Sequence, residues 1–285
     1  MQSAQDPTPF VAVGGLGGSG TRLVAQILQK MGFYLGPVLN PPLDNLLFTL
    51  LFKRREWFAA FPADVEIDRT IRIFAAGMRD GVEQAVNLLA REEVERLLEN
   101  ARGFGADHGR FEAVLASGPP DLDLYSGLAW KEPNTHVFLP QLTQRFPNMK
   151  YIHVIRNGLD MALSRNRQQL LNWGRHYDIQ PETEENLPQA QLRYWLAANH
   201  RVIETGDRMG SKQFHLLNYD NLCLGFENEA GRLQKFLDRH LSDFDLAGFS
   251  GGIGTGSIGR FREVPARTFT LADREAVKQL GFCVD

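Results

Sequence analysis

Phe10-Val-Ala-Val-Gly-Gly-Leu-Gly-Gly-Ser-Gly-Thr-Arg-Leu-Val-Ala-Gln-Ile-Leu28 is the stretch on which the fold turns. An apolar run, Phe10 to Val13, stops at a loop that holds five glycines and one serine. From Arg22 the period changes. Leu23, Val24, Ile27, Leu28 and Met31 recur at helical spacing, and Gly32 stands where a helix C-cap belongs. The pattern is strand, glycine turn, helix. The backbone N–H groups of such a turn are open, and the helix N-terminus behind it adds partial positive charge. Glycines also remove the Cβ atoms that would hold an anion away from those donors. The stretch predicts a phosphate cradle; a turn that merely connects does not need so many glycines.

Three templates compete for the loop. The Walker A pattern GxxxxGK[ST] nearly fits Gly15 to Thr21, but Thr21 takes the place of the phosphate-gripping lysine. The dinucleotide pattern GxGxxG fits literally at Gly15, Gly17 and Gly20. It also wants an acidic residue closing the second strand, and Phe33 to Asn40 has none. The 5′-phosphosulfate loop of sulfotransferases, usually [PR]-[KR]-[SG]-G-T-[TR], resembles Gly17-Gly18-Ser19-Gly20-Thr21-Arg22 at its last four positions. The loop by itself leaves all three open.

Composition bounds the rest. A chain of 285 residues, 43% apolar and 10% aromatic, can bury a sizeable core, which predicts one large α/β domain over residues 1–285. A net charge of −3 gives no overall basic field for nucleic acid. Cys223 and Cys283 have neither metal-ligand nor redox spacing, so no metal is expected. Met1 to Pro9 is polar and without an apolar signal segment, and no run approaches the ~20 apolar residues of a membrane span. The expected setting is soluble and cytoplasmic.

Further along, the prolines of Leu39 to Leu43 force an extended entry, and the leucine-rich run after Asp44 starts a helix. Asp44 is either an ordinary helix-start acid or a carboxylate folded back over the phosphate loop. Residues 64–125 form an expected insertion. It is helical from about Val65 to Ala101, with breaks at Gly77 and Asp80-Gly81 and a solvated face over Arg91 to Arg96. A long loop then runs from Gly103 to Asp123. Leu128 to Trp130 is a short strand with Lys131 at its tip, and a helix follows over Val137 to Phe146. Lys150-Tyr-Ile-His-Val-Ile155 is the clearest buried strand; it should bury His153 and leads to Arg156 and a helix from Asp160 to Leu171. A long helix spans Asn186 to Met209, a strand Gln213 to Leu217 and a helix Phe226 to Leu241. After a second glycine-rich loop, Gly251 to Arg262, Thr270 and Asp273 form a capping box for the last helix.

Strands alternating with helices predict a largely parallel sheet, with ligands beyond the carboxyl ends of its strands. Four strand ends deliver polar residues to that edge: Ser19, Thr21 and Arg22, then Lys131, then Arg156, then Tyr219-Asp220. A lysine or arginine past one strand is ordinarily a solvated boundary residue. Cations at three strand ends, with an N–H cradle, imply a ligand carrying more than one anionic group.

Here the resemblance becomes specific. Tyr151-Ile-His-Val-Ile-Arg-Asn-Gly-Leu-Asp-Met-Ala-Leu-Ser164 is similar to the 3′-phosphate motif of the sulfotransferase family. Trp130-Lys-Glu-Pro followed by Phe146-Pro resembles the family's KxP…FP stretch. Asn218-Tyr-Asp-Asn-Leu resembles its YEDL segment, and Gly256 to Arg262 its C-terminal cofactor loop. The resemblance implies a three-layer α/β/α fold with a central parallel sheet, like that of P-loop NTPases. It implies transfer of a sulfuryl group from 3′-phosphoadenosine 5′-phosphosulfate to a hydroxyl or amine of a small-molecule or glycan acceptor.

By the same resemblance Lys131 contacts the sulfuryl group, and Arg156 and Ser164 hold the 3′-phosphate, helped by Gly259 and Arg260. Gly17, Gly18, Ser19, Gly20, Thr21 and Arg22 hold the 5′ side, with Tyr219 in the nucleotide site. Asp44 matches the region of the family's acidic base; His136 is the other candidate, against a structural role within its helix. Ser164 can equally just bond back to the backbone. One position departs from the pattern. The family carries Lys or Arg at the second loop position, and this chain has Gly18. Two other readings follow from the loop: a non-catalytic nucleotide sensor of the same fold, and a nucleoside-triphosphate kinase, against which the missing Walker lysine counts.

Overall fold

The computed structural model describes residues 9–103, 108–180, 183–184 and 186–285, so the polar stretch before Pro9 lies outside the described residues. Contacts divide the chain into two compact units. One comprises the residues up to Val13 with Arg22–Tyr151, the other Gly14–Thr21 with Ile152–Asp285.

In the first unit, β1 (Val11–Gly15) is buried along its whole length. Helix α1 (Thr21–Lys30) turns Val24, Ile27 and Leu28 fully inward, and Gly32 follows it with φ +82°. After β2 (Phe33–Tyr34) comes α2 (Leu46–Phe52), every residue of which is buried. Its N-cap is Asn45, whose side chain accepts from the Phe48 N–H, so Asp44 is not the helix-start acid. The short α3 (Arg55–Ala59) leads to α4 (Asp64–Arg79). Gly77 does not break α4. A Cβ there would lie 2.7 Å from Leu47 Cδ2, so the glycine serves close helix packing. The break comes at Asp80-Gly81, before α5 (Val82–Ala85) and α6 (Arg91–Ala101).

The expected loop from Gly103 to Asp123 contains α7 (His108–Leu115) and a 3₁₀ turn at Leu122–Leu124, while its residues 104–107 lie outside the described ones. Burial of Phe111 and Val114 gives that helix its reason. Strand β3 (Gly127–Lys131) runs parallel to β1, with Val13 opposite Lys131, and parallel to β2. The helix expected over Val137 to Phe146 is a 3₁₀ segment, Pro133–Phe138, followed by α8 (Leu139–Arg145). An aromatic core of Phe10, Phe48, Phe74 and Trp130 packs edge to face at 5.1–5.4 Å. Such pairs add about 0.5–1.5 kcal/mol each beyond the area they bury.

β4 (Lys150–Ile155) occupies the expected span and leads into the second unit. His153 is fully buried there, and its Nε2–H donates to Asn199 Oδ1 at 2.8 Å. Burial pushes its pKa down to about 4, and the imidazole is neutral. The helix expected from Asp160 to Leu171 is two helices, α9 (Gly158–Ala162) and α10 (Gln168–Trp173), separated by a turn. α11 (Leu187–Met209) packs on α9 so closely that a Cβ at Gly158 would meet the Trp195 ring at 2.7 Å.

β5 (Phe214–Asn218) leads through α12 (Tyr219–Leu224) to α13 (Phe226–Leu237), which stops short of Leu241 at left-handed Asp238. Gly251 and Gly252 end α14 (Asp243–Gly252) rather than begin a loop. The capping box of Thr270 and Asp273 opens α15 (Leu271–Gln279). The strands form one sheet in the order β2-β3-β1-β4-β5, an α/β fold built around the strand that carries the glycine turn.

Candidate functional site

In the first unit, Lys131 is the centre. It ends β3, its side chain is 1% exposed, and its Nζ pairs with Asp44 Oδ1. The turn that presents Asp44 is held from three sides. Asn40 Nδ2 donates to Asp44 Oδ2 at 3.0 Å, the Asp44 N–H donates to Asn40 Oδ1 at 2.8 Å, and the Asn45 N–H donates to the Lys131 carbonyl at 2.7 Å. The carboxylate is thus hung from the backbone of the residue whose side chain it neutralises. Burial drives the Lys131 pKa down; Asp44 opposes that shift, and the exposed Arg22 adds to it. The carboxylate therefore favours the charged form of the buried ammonium.

Glu132 lies next to the pair and is also buried. Burial, and then the charge of Asp44, push its carboxyl up to about 7. Its oxygens accept from the Asn134 N–H and, at 2.8 Å, from Asn134 Nδ2. His136 sits in the 3₁₀ segment, 1% exposed, with its Nδ1–H donating to the Pro133 carbonyl at 2.8 Å. A carbonyl only accepts, so that nitrogen holds the proton and is committed to backbone.

In the second unit, the glycine loop is fitted against a strand-end tyrosine and an arginine. Its Ser19 N–H donates to the Leu16 carbonyl at 2.9 Å. Gly20 has φ +100°, and a Cβ there would fall 1.9 Å from Tyr219 Cδ2. Gly18 has φ +98°, yet the nearest atom to its missing Cβ is Met161 Cε at 3.8 Å. At Gly18 the backbone, rather than space, excludes a side chain. Arg156 is 7% exposed. Its Nη1 donates to the Gly18 carbonyl at 3.2 Å and its Nη2 to the Ser257 carbonyl, and its guanidinium lies 5.2 Å from the Tyr219 ring centre. The same environment pushes the Tyr219 hydroxyl up to about 12 and the Asp220 carboxyl up to about 6, both chiefly by burial.

Asp160 ties this arginine's surroundings together. It is fully buried; its Oδ2 accepts from the Gly259 N–H at 2.7 Å and its Oδ1 from the Phe261 N–H at 3.0 Å. Arg260 Nη2 donates to the Asp160 carbonyl at 2.9 Å. Ser164 is not helical. It lies in the turn after α9, with Oγ accepting from the Asn166 N–H at 3.1 Å, and Gln191 Nε2 holds the carbonyls of Ala162 and Ser164.

Three buried donors in this set have no hydrogen-bond partner among the described residues: Ser19 Oγ, Arg156 Nε and Arg260 Nε. Folded proteins keep few such groups. Two guanidinium edges and a loop hydroxyl suit the oxygens of a polyanion. Among the described residues no group of three or more His, Cys, Asp or Glu could hold a metal ion, and no helix is long and apolar enough to cross a membrane.

The structure brings Lys131, Asp44 and Arg22 into one cluster, and the loop glycines, Ser19, Arg156, Tyr219, Gly259 and Arg260 into another. Thr21 is buried at the head of α1. Sequence reasoning missed Asn40, Glu132 and Gln191 as supports, and it gave Asp160 only the start of a helix. Asp160 four residues after Arg156 was the available signal.

The model of the sulfotransferase family matches residues 9–243. No match was found among curated proteins. Among solved structures, the sulfotransferase domain from the Synechococcus PCC 7002 olefin synthase is similar at 14% identity, with a TM-score of 0.53 and 100% of both chains covered. The sulfotransferase domain from the curacin biosynthetic pathway is similar at 14% identity and a TM-score of 0.52, over 99% of this chain and 100% of that one.

Proposed function

This chain belongs to the sulfotransferase family, and from that premise we propose that it transfers a sulfuryl group from 3′-phosphoadenosine 5′-phosphosulfate to a hydroxyl or amine. The observation that carries the donor assignment is the set of buried, unpartnered donors around the glycine loop, Ser19 Oγ, Arg156 Nε and Arg260 Nε. In this reading Arg156 and Arg260 hold the 3′-phosphate, with Ser164 turning its hydroxyl to it from the turn after α9. The loop from Gly17 to Thr21, with Arg22, holds the 5′ side, and the ring of Tyr219 backs the loop at Gly20.

Asp44 takes the proton from the acceptor hydroxyl or amine as the new bond to sulfur forms. The bond from sulfur to the 5′-phosphate oxygen breaks, and its electron pair leaves with the 3′,5′-bisphosphate. Lys131 neutralises the charge that gathers on the transferring and leaving oxygens, where a fixed cation in a dry site has most effect. Its pairing with Asp44 supports both roles, because the carboxylate favours the charged form of the buried ammonium. The acceptor is a small molecule or a glycan.

One observation favours a second reading, a nucleotide sensor that does not transfer. The positive φ of Gly18 makes the missing loop cation a property of the backbone itself. Donor carrying a radiolabelled sulfuryl group, offered to a panel of hydroxyl and amine acceptors, separates the two. The transferase reading expects label in at least one acceptor and roughly a 100-fold lower kcat in Lys131→Ala. Saturable donor binding with no label moved to any acceptor favours the sensor.

A further inference from the structure

The helices of the first unit enclose a second candidate site. A cavity of about 300 Å³ lies among α2, α3, α4 and α6, at the lower end of the roughly 300–1,000 Å³ of small-molecule sites. Its floor is made by Leu51, Thr70, Ile73 and Leu97, all buried. At its mouth stand the exposed Arg69, Arg96 and Asn100. None of the residues assigned above to the donor or to the transfer step lines it.

Arg54 is the chemical centre of the cavity. Its guanidinium lies over the ring of Trp57, 3.8 Å from the centroid. Its Nε donates to the Leu51 carbonyl at 2.8 Å, Nη2 reaches Thr70 Oγ1 only at 3.5 Å, and Nη1 has no acceptor among the described residues. The two carboxylates of the lining are engaged elsewhere. Glu93 takes Arg69 on both oxygens, at 2.8 and 3.0 Å, and also the Ala90 N–H. Glu66 accepts from the Ala63 N–H as part of the cap of α4. Three arginines against two glutamates leave the lining with an excess of one positive charge. Burial draws the Arg54 pKa down to about 10, and the charges of Glu66 and Glu93 offset that only in part.

We propose that this cavity binds a small monoanionic amphiphile, its carboxylate on the terminal nitrogens of Arg54 and its apolar body against Leu51, Ile73 and Leu97. A guanidinium edge matches a carboxylate in plane, which a point charge does not. The stacked indole fixes the orientation of that edge before binding. A cationic ligand meets Arg69 and Arg96 at the mouth, and a neutral one leaves the Arg54 charge without a partner.

The test titrates the full chain with 10-bromodecanoate and follows tryptophan fluorescence, which bromine quenches on contact. Trp130, Trp173 and Trp195 are each under 2% exposed, so Trp57, half-buried at the cavity wall, reports the site. The expected result is saturable quenching that unbrominated decanoate reverses and that decanol and decylamine, at equal concentration, do not. Arg54→Gln should weaken binding roughly tenfold or more. Leu89→Phe, which narrows the cavity and keeps every charge, should weaken it as well; it decides the matter if Arg54→Gln fails to fold. Absence of quenching, equal competition by decanol, or undiminished binding in a folded Leu89→Phe chain overturns the proposal.

Discussion

Gly18 and Gly20 look alike in the sequence, and the structure separates them. Both have φ near +100°, but a Cβ at Gly20 would overlap the Tyr219 ring at 1.9 Å, whereas one at Gly18 meets nothing nearer than 3.8 Å. Gly18→Ala should therefore cost only the backbone term, about 1–2 kcal/mol. Gly20→Ala should cost well more and displace Tyr219; chemical denaturation of the two variants compares them directly. Glu132 gives a pH signature at the same scale. Its carboxyl, ordinarily near 4.5, is raised to about 7 in the folded chain. The folded state therefore binds the proton more tightly than the unfolded one. The stability this confers is complete below about 4.5 and is lost as the pH rises through about 7. Glu132→Gln should match the wild type at low pH and gain on it steadily up to about pH 7, read as the difference between their denaturation midpoints. At this scale the sequence showed Lys131, Arg156 and the glycines, because residue type and strand-end position carry them. The partners of Lys131 and Asp160 were not legible, since pairing across 87 and about 100 residues leaves no local pattern.

At the scale of elements, β4 and the strand–turn–helix at the start were legible because their periods are unambiguous and their ends are marked by glycine or by a change of period. The helix predicted across Asp160 to Leu171 failed for a physical reason. Gln191 takes the carbonyls of Ala162 and Ser164, which a continuous helix would have used itself, so a distant side chain ends α9. In the predicted loop from Gly103 to Asp123, α7 arises from tertiary burial of Phe111 and Val114, which overrides the glycines on either side. The segment around Gly259 is organised by Asp160, and a specific outcome follows. Asp160→Asn replaces an acceptor-only carboxylate by an amide whose nitrogen cannot accept, so one of the Gly259 and Phe261 N–H groups loses its partner. Amide hydrogen exchange at those two positions should accelerate by roughly tenfold or more while exchange in β4 stays slow. Unchanged protection at both would mean that the loop is held by something other than Asp160.

For the molecule as a whole, the glycine turn remains the organising feature, with its strand at the centre of the sheet order β2-β3-β1-β4-β5. Family membership and fold agree with what the motifs implied, and the 14% identity to the solved sulfotransferase domains shows how little of that fold depends on any particular side chain. The two clusters make the proposed function testable in parts, because the donor binding proposed for Arg156 and the proton transfer proposed for Asp44 rest on different residues. The central claim is that Arg156 reads a 3′-phosphate. Isothermal titration of the wild type and Arg156→Ala with 3′-phosphoadenosine 5′-phosphate, and of the wild type with adenosine 5′-phosphate, addresses it most directly. The account predicts saturable one-to-one binding of the bisphosphate, weakened roughly 100-fold either by the substitution or by removal of the 3′-phosphate. Equal affinity of the wild type for the two nucleotides would contradict it.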